Sequence, residues 1–333
     1  MGAPLVAGVP MPGEGGRRYR ADEGESGVGG AGGTAGDVLA LVVADHVRRI
    51  EQRTPAAVAD EPDGVHALRT GVRRLRNVLA VYRKAFDADA VARLRGLLAE
   101  LGAVLGEARD LEVRTAQLQL VRAELSDDAA PELVARMTRE LQGDYRLAHD
   151  RVTRWCVSPR HADLTEVLVR WAADPPLGAW ARKPGAEAVR TRLGRQADRV
   201  AAVGAELDAG RLAAPWSATA AHGLAAAHEA RKAARRLAHA AGAVTDEPAA
   251  LLGDDARALG EAGSRLQTVL GAHRDAMMLA AHAARLAAGR EGDRGSFDAV
   301  VEGAKRLARA ALTDLVPAVA GLQAARDGFV VGR

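Results

Sequence analysis

Apolar positions recur three and four residues apart through most of the chain, and runs of strict alternation are scarce, so the pattern is helical nearly everywhere. Leu39, Val42, Val43, Val47 and Ile50 predict a first helix from Asp37 to about Arg53, with Pro55 and Pro62-Asp63-Gly64 marking a loop. A second helix is expected from about Val65 to Phe86, with Asp63 as its candidate N-cap. Residues 89–125 read as one or two helices, bent or interrupted near Leu105-Gly106. Pro131 opens a long helix to about Val157, since proline suits the first turn. Ser158-Pro159-Arg160 breaks it, and Leu164 to Trp171 form a short helix that ends before Asp174-Pro175-Pro176. Beyond Lys183-Pro184-Gly185 the plan repeats. Helices are predicted at 186–208, at 217–243, at 248–288 with a break near Gly271, and at 296–325, kinked or ended at Pro317.

Composition sharpens this to an all-α class. Hydrophobic residues make up 48% of the 333 positions but aromatics only 3%, and the strong helix formers Ala, Leu and Arg are abundant. The length has room for two domains, expected at 37–180 and 186–330. Residues 1–36, rich in Gly and Pro, read as a disordered tail that cannot bury enough apolar surface to order itself. No signal-peptide core and no apolar run of membrane-spanning length occurs, so the expected location is cytoplasmic, with no membrane partner. Cys156 is the one cysteine, which removes any intramolecular disulfide.

Net charge is only +3, but its distribution matters more. His66-Ala-Leu-Arg69-Thr-Gly-Val-Arg73-Arg74-Leu-Arg76 has a second version at His228-Glu-Ala-Arg231-Lys232-Ala-Ala-Arg235-Arg236-Leu-Ala-His239. Some forty residues after each comes a second shared element, Leu105-Gly-Glu-Ala-Arg109-Asp110 and Leu270-Gly-Ala-His-Arg274-Asp275. His66 and His228 are 162 residues apart and Arg109 and Arg274 are 165 apart, which reads as duplication of one unit of roughly 150 residues.

On a helical wheel with His66 at zero, Arg69 falls at about −60°, Arg73 at about −20°, Arg76 at about −80° and Arg74 off to the side at about 80°, opposite a seam of Leu68, Val72, Leu75 and Leu79. The second helix repeats this with His228, Arg231, Lys232 and Arg235. A row of like charges is unfavourable unless it is solvated, paired with acids or facing an anion. Repetition of the same row favours the anion. Arginine suits phosphate through its planar, permanently charged fork, and Lys232 would act as a point charge. His66 and His228 would bind more strongly when protonated, although each alone is better read as a buried hydrogen-bonding residue. Arg109-Asp110 and Arg274-Asp275 admit two readings: a ligand contact with an acid that holds a stripe arginine, or a structural pair. Arg136, Arg139, Lys305, Arg306 and Arg309 would extend a basic wall or simply be solvated.

The chain carries no His-Glu-x-x-His, no Cys-x-x-Cys and no P-loop, and no cluster of acids suits two-metal phosphoryl chemistry. No metal and no cofactor is expected.

The His-x-x-Arg-x-x-x-Arg-Arg pattern of His66 to Arg74, the Leu-Gly-x-x-Arg-Asp element ending at Asp110, the Ser158 to Pro176 stretch and the His228 to Arg236 helix together resemble the CHAD family, the conserved-histidine α-helical domain. The resemblance covers about residues 37–325. It implies two four-helix bundles related by pseudo-two-fold symmetry, a basic groove or channel at their junction, and inorganic polyphosphate as ligand, with some members targeted to polyphosphate granules. By the same resemblance His66, Arg69, Arg73, Arg74 and Arg76 line one side, and His228, Arg231, Lys232, Arg235 and Arg236 the other. The chain departs from many members in lacking the Glu-x-Glu-x-Lys signature of a fused CYTH domain, and its second half is less basic downstream of Arg236. The leading expectation is therefore non-enzymatic polyphosphate binding. Nucleic acid is the weaker rival, because the stripes offer few aromatics for base stacking. A phosphohydrolase is a third reading.

Overall fold

The computed structural model describes residues 33–125, 130–213, 218–287 and 294–329. In these the chain forms α1 (Ala35–Val58), α2 (Gly64–Val81), α3 (Ala88–Glu124), α4 (Pro131–Cys156), α5 (Pro159–Ala173), α6 (Gly185–Ala205), α7 (Ala209–Ala213), α8 (Ala218–Thr245), α9 (Asp254–Ala287), α10 (Arg294–Ala311) and α11 (Leu315–Gly328). The class is all-α. Among the described residues no helix is long and apolar enough to cross a membrane.

Several boundaries differ from the sequence pattern for identifiable reasons. Most of the expected tail, residues 1–32, lies outside the described residues, but its last residues belong to the fold. Thr34 and Asp37 form a reciprocal capping box that starts α1 two residues early. The helix then runs through Pro55 to Val58, and the carbonyl that Pro55 leaves unpaired belongs to the exposed Glu51. Asp63 is not a side-chain cap for α2: it is left-handed, with φ 59°, and makes no capping bond. The start of α2 is set instead by packing, since a Cβ on Gly64 would stand 2.6 Å from the Ala56 carbonyl oxygen. The second helix ends at Val81, and the Arg83–Ala85 turn is a separate 3-10 helix.

Neither long helix breaks at its Leu-Gly element. α3 continues through Gly106 and α9 through Gly271, because each glycine is there for close approach of an α2 or α8 arginine and not for a bend. The last predicted helix is divided by a 3-10 turn at Leu312–Asp314, so that Pro317 falls in the first turn of α11, where no N–H is needed.

The packing of the second half mirrors that of the first. α1 packs on α2, α2 on α3, α3 on α4 and α1 on α5; α6 packs on α8, α8 on α9, α9 on α10 and α6 on α11. The halves do not each close a separate core. One apolar cluster runs from Val38 and Leu39 through Leu75 and Leu98 to Val189, Leu237, Leu266 and Leu322. A second joins the far ends of α3, α4, α9 and α10 around Leu118, Met137, Leu279 and Phe297. The expected pair of bundles is thus fused along α2 and α8, which pack directly against each other.

Contacts between matching positions are reciprocal. Ala35 N–H donates to the Lys183 carbonyl and Gly185 N–H donates to the Gly33 carbonyl, both at 2.9 Å; an offset of 150 residues carries Ala35 onto Gly185 and Gly33 onto Lys183, so each bond is the other's counterpart. Asn77 donates to His239 Nδ1 at 2.9 Å, and these two are 162 residues apart, the spacing of His66 and His228. In a two-fold arrangement, a residue that meets its own equivalent lies at the axis.

Candidate anion-binding site

The apolar seam of α2 is buried against α1 and α3, which leaves the opposite, basic face toward α8. The helical wheel therefore aims the two stripes at each other. Arg69, Arg73, Arg231 and Arg235 form the centre of the junction. Burial, and then the neighbouring guanidinium groups, push Arg73 down to about 10 and Arg235 to about 9, so both still carry full charge at neutral pH. Arg231 is lowered too, by burial first. The Nε–H groups of Arg231 and Arg235 are buried without a hydrogen-bond partner.

The Leu-Gly-x-x-Arg-Asp elements support this centre from behind. A Cβ on Gly106 would lie 3.6 Å from Arg69 Nη2, and one on Gly271 would lie 3.3 Å from Arg231 Nε, so each glycine lets a stripe arginine lie across the helix backbone. Asp110 accepts an ion pair from Arg69 at 3.1 Å. Asp275 stands at the matching place near Arg231 and pairs with Arg274 at 3.5 Å; burial raises its carboxyl above the usual range despite both cations. Arg109 is held by Glu112 at 2.8 Å.

His66 and His228 sit exposed at the rim, His66 nearest the charge of Arg109 and His228 among Lys232, Arg274 and Arg231. Partial burial, followed by these cations, lowers both below the ordinary histidine value, so both are neutral at pH 7. Lys232 is paired with Glu229 at 2.8 Å.

The remaining stripe residues leave the centre on either flank. Arg74 points toward α1, where its charge meets Arg53 and Arg49. It lines a cavity of ≈ 500 Å³ together with Arg73, Arg235, His46, His239 and Asp45. Burial holds His46 down to about 4 and His239 to about 3, so both are neutral. Arg76 and Arg236 turn to the other flank, toward Arg95 and each other. Arg306 and Arg309 are not brought to the junction. Arg306 lies 3.8 Å from Glu124 at the end of α3, about 22 Å along that helix from Arg109, and Arg309 is exposed on α10.

The sequence pattern did not single out the seats at Gly106 and Gly271, the Asn77–His239 contact, or Arg95, Arg192, Arg195 and Arg199. The glycines did carry a signal, because they recur at the same place in both halves. Among the described residues no group of three or more His, Cys, Asp or Glu is placed to hold a metal ion.

A family model for the CHAD domain matches residues 41–284. The chain belongs to the CHAD family. Among solved structures it is similar to PptA from Streptomyces chartreusis, at 22% identity and a TM-score of 0.65, over 88% of this chain and 99% of that one. It is also similar to the CHAD domain from the plant Ricinus communis, at 21% identity and a TM-score of 0.60, over 91% and 94% of the two chains. At these identities the likeness establishes the shared fold. A search of curated proteins finds no match. In this CHAD domain, the family's hallmark histidines stand at the rim of the arginine junction and not inside it.

Proposed function

We propose that this CHAD protein binds inorganic polyphosphate, without turning it over, along the junction of α2 and α8. The observation that carries the reading is the set of buried, partnerless Nε–H groups on Arg231 and Arg235, in a place where Arg69 and Arg73 add further positive charge. A buried donor without a partner is unfavourable by about 1–3 kcal/mol, more when charged, and an oxyanion relieves both the missing bonds and the repulsion. A polymer of phosphates supplies oxyanions at close, regular spacing and needs no stacking surface. The junction offers none: the stripe helices bring it arginines and histidines but no aromatic side chain. The reciprocal contacts at Thr34–Pro184 and Asn77–His239 support an origin by internal duplication, with both halves contributing to one site. Granule association in the cytoplasm accords with this reading.

Titration of long-chain polyphosphate over a series of salt concentrations, with single-stranded DNA as competitor, tests the proposal. Affinity should fall with salt at a logarithmic slope of about −0.7 per phosphate neutralised, and DNA should compete weakly. Arg69→Ala/Arg73→Ala and Arg231→Ala/Arg235→Ala should each abolish tight binding. Binding that survives both pairs, or that DNA displaces readily, refutes it.

A further inference from the structure

A second cavity, of ≈ 300 Å³, opens on the flank of α2 opposite Arg74, between α2, α3, α6 and α8. Its nine lining residues all have equivalents in the lining of the ≈ 500 Å³ cavity. Offsets of 162 for α2 and α8, 165 for α3 and α9, and 150 for α1 and α6 map every one of them: Arg236 onto Arg74, Arg95 onto Gly260, Arg199 onto Arg49. The two cavities occupy matching places and differ sharply in charge.

The larger one sets five arginines against four carboxylates, Asp45, Asp246, Glu247 and Glu261, for a formal charge of +1. Its Arg49 is tied to Asp45 at 2.7 Å and its Arg257 to Asp246 at 3.0 Å. The smaller is lined by Arg83, Arg95, Arg192, Arg195, Arg199 and Arg236, with no carboxylate among its lining residues, for a formal charge of +6. The decisive exchange is at one pair of positions, where Asp45 in the first half is Arg195 in the second.

None of the six arginines makes an ion pair among the described residues. Arg192 is fixed by donating to the Val81 carbonyl at 2.7 Å, and Arg95 Nε is buried without any partner. Six guanidinium groups without a carboxylate partner around so small a space, one of them with a buried and unpartnered Nε–H, favour a compact, highly charged anion. An interior phosphate of a chain carries one negative charge. A terminal phosphate carries close to two at neutral pH, because its second ionisation lies near 6.

We propose that this arginine-only pocket is a second anion site, which takes the terminal phosphates of an oligophosphate, supplied either by the end of a long chain lying on the junction or by a free short oligophosphate. The proposal rests on the polyphosphate reading above for its first source and stands apart from it for the second.

The test uses the full chain and three ligands: tripolyphosphate, long-chain polyphosphate, and the same polyphosphate with its terminal phosphates capped as phosphoramidates, which lowers each end from about two negative charges to one. Calorimetry on wild type is compared with Arg95→Gln/Arg199→Gln. Arg195→Asp, at an exposed position, serves as the second variant. Tripolyphosphate should bind wild type once and lose about tenfold or more in affinity in both variants. If the chain end is the occupant, wild type should prefer free-ended over blocked polyphosphate severalfold, and the variants should lose that preference while binding blocked chains within about twofold of wild type. If only free short oligophosphates occupy the pocket, the tripolyphosphate effect appears without any end preference. Tripolyphosphate affinity and end preference both unchanged in the variants overturn the proposal. Loss of long-chain binding in wild type with tripolyphosphate binding intact overturns the junction reading and leaves the pocket standing; no binding of any ligand overturns both.

Discussion

Arg69 and Arg231 stand at matching points of α2 and α8, each laid over a helix glycine, yet the two halves treat them differently. Arg69 is paired with Asp110 at 3.1 Å, and Asp110 is close to half exposed. Arg231 leaves its Nε–H buried and unpartnered, and the matching Asp275 is itself disfavoured as an anion by burial. The next pair repeats the asymmetry in milder form: the Arg235 Nε–H is buried without a partner, and that of Arg73 is not. The first half thus settles part of its charge internally, and the second leaves more of it for a ligand. The flanking cavities differ by side and not by half: acids from both halves line the cavity closed by α1, and arginines from both halves line the one closed by α6. If polyphosphate binds the junction as proposed, unequal charge satisfaction there would draw more of the binding energy from the second half.

The largest expected effect comes from removing one central arginine at a time. Arg235→Gln should weaken polyphosphate binding by about 100-fold and Arg73→Gln by somewhat less, as expected for a buried charge that meets its partner only in the complex. Each should also make the salt slope shallower by about 0.7. Without ligand the order of melting temperatures should invert: both variants melt above wild type, Arg235→Gln the higher, since a repelled, partly desolvated cation has been removed. Equal effects at the two positions would break the comparison. A lowered melting temperature in both would show that these cations stabilise the ligand-free fold.

A smaller effect separates the two aspartates. Asp110→Asn removes a half-exposed ion pair and should lower ligand-free stability by about 0.2–1 kcal/mol. Asp275→Asn should do the opposite at neutral pH. Its carboxyl is raised in the folded state, so the charged form opposes folding; wild type gains stability as pH falls from neutral through that raised value toward the unfolded one, and the amide gains nothing. The stability advantage of Asp275→Asn should therefore be present at pH 7 and shrink on acidification. Melting temperatures between pH 7 and pH 4 measure this, and an advantage that does not depend on pH would place the cause in packing instead of charge.

Much of this architecture was legible in the sequence. Helical spacing gave the order of elements, and the repeated stripe pointed to α2 and α8 as the pair that meets. Two kinds of information were hidden. Element boundaries at Gly106, Gly271 and Asp63 depend on what a residue packs against: glycine reads locally as a break, but here an arginine from another helix occupies the missing side chain's space. Arg95, Arg192, Arg195 and Arg199 look like ordinary solvated helix charges, because nothing along α3 or α6 says that they converge with Arg236. Their meaning appears only when the halves are superposed by offset and Arg195 is found where Asp45 should be. Arg306 shows the reverse, a basic residue of the right type placed at the wrong end of a long helix.

The smallest and most discriminating test lies in the two glycine seats. Glycine in a helix interior is less stable than alanine by roughly 0.5–1 kcal/mol, so Gly106→Ala and Gly271→Ala both start from the same gain. The space differs. At 106 the new methyl group meets Arg69 Nη2 at 3.6 Å, an ordinary contact at the far end of a flexible side chain. At 271 it meets Arg231 Nε at 3.3 Å and Nη2 at 3.4 Å, and Arg231 must shift by a few tenths of an ångström. Gly106→Ala should melt higher than wild type and bind polyphosphate within about twofold of it. Gly271→Ala should keep less of the stability gain and lose affinity by about three- to tenfold, because the displaced guanidinium is the one whose Nε–H awaits the ligand. If both alanines leave binding alone, the seats serve only helix packing, and the difference between the halves resides wholly in their acids.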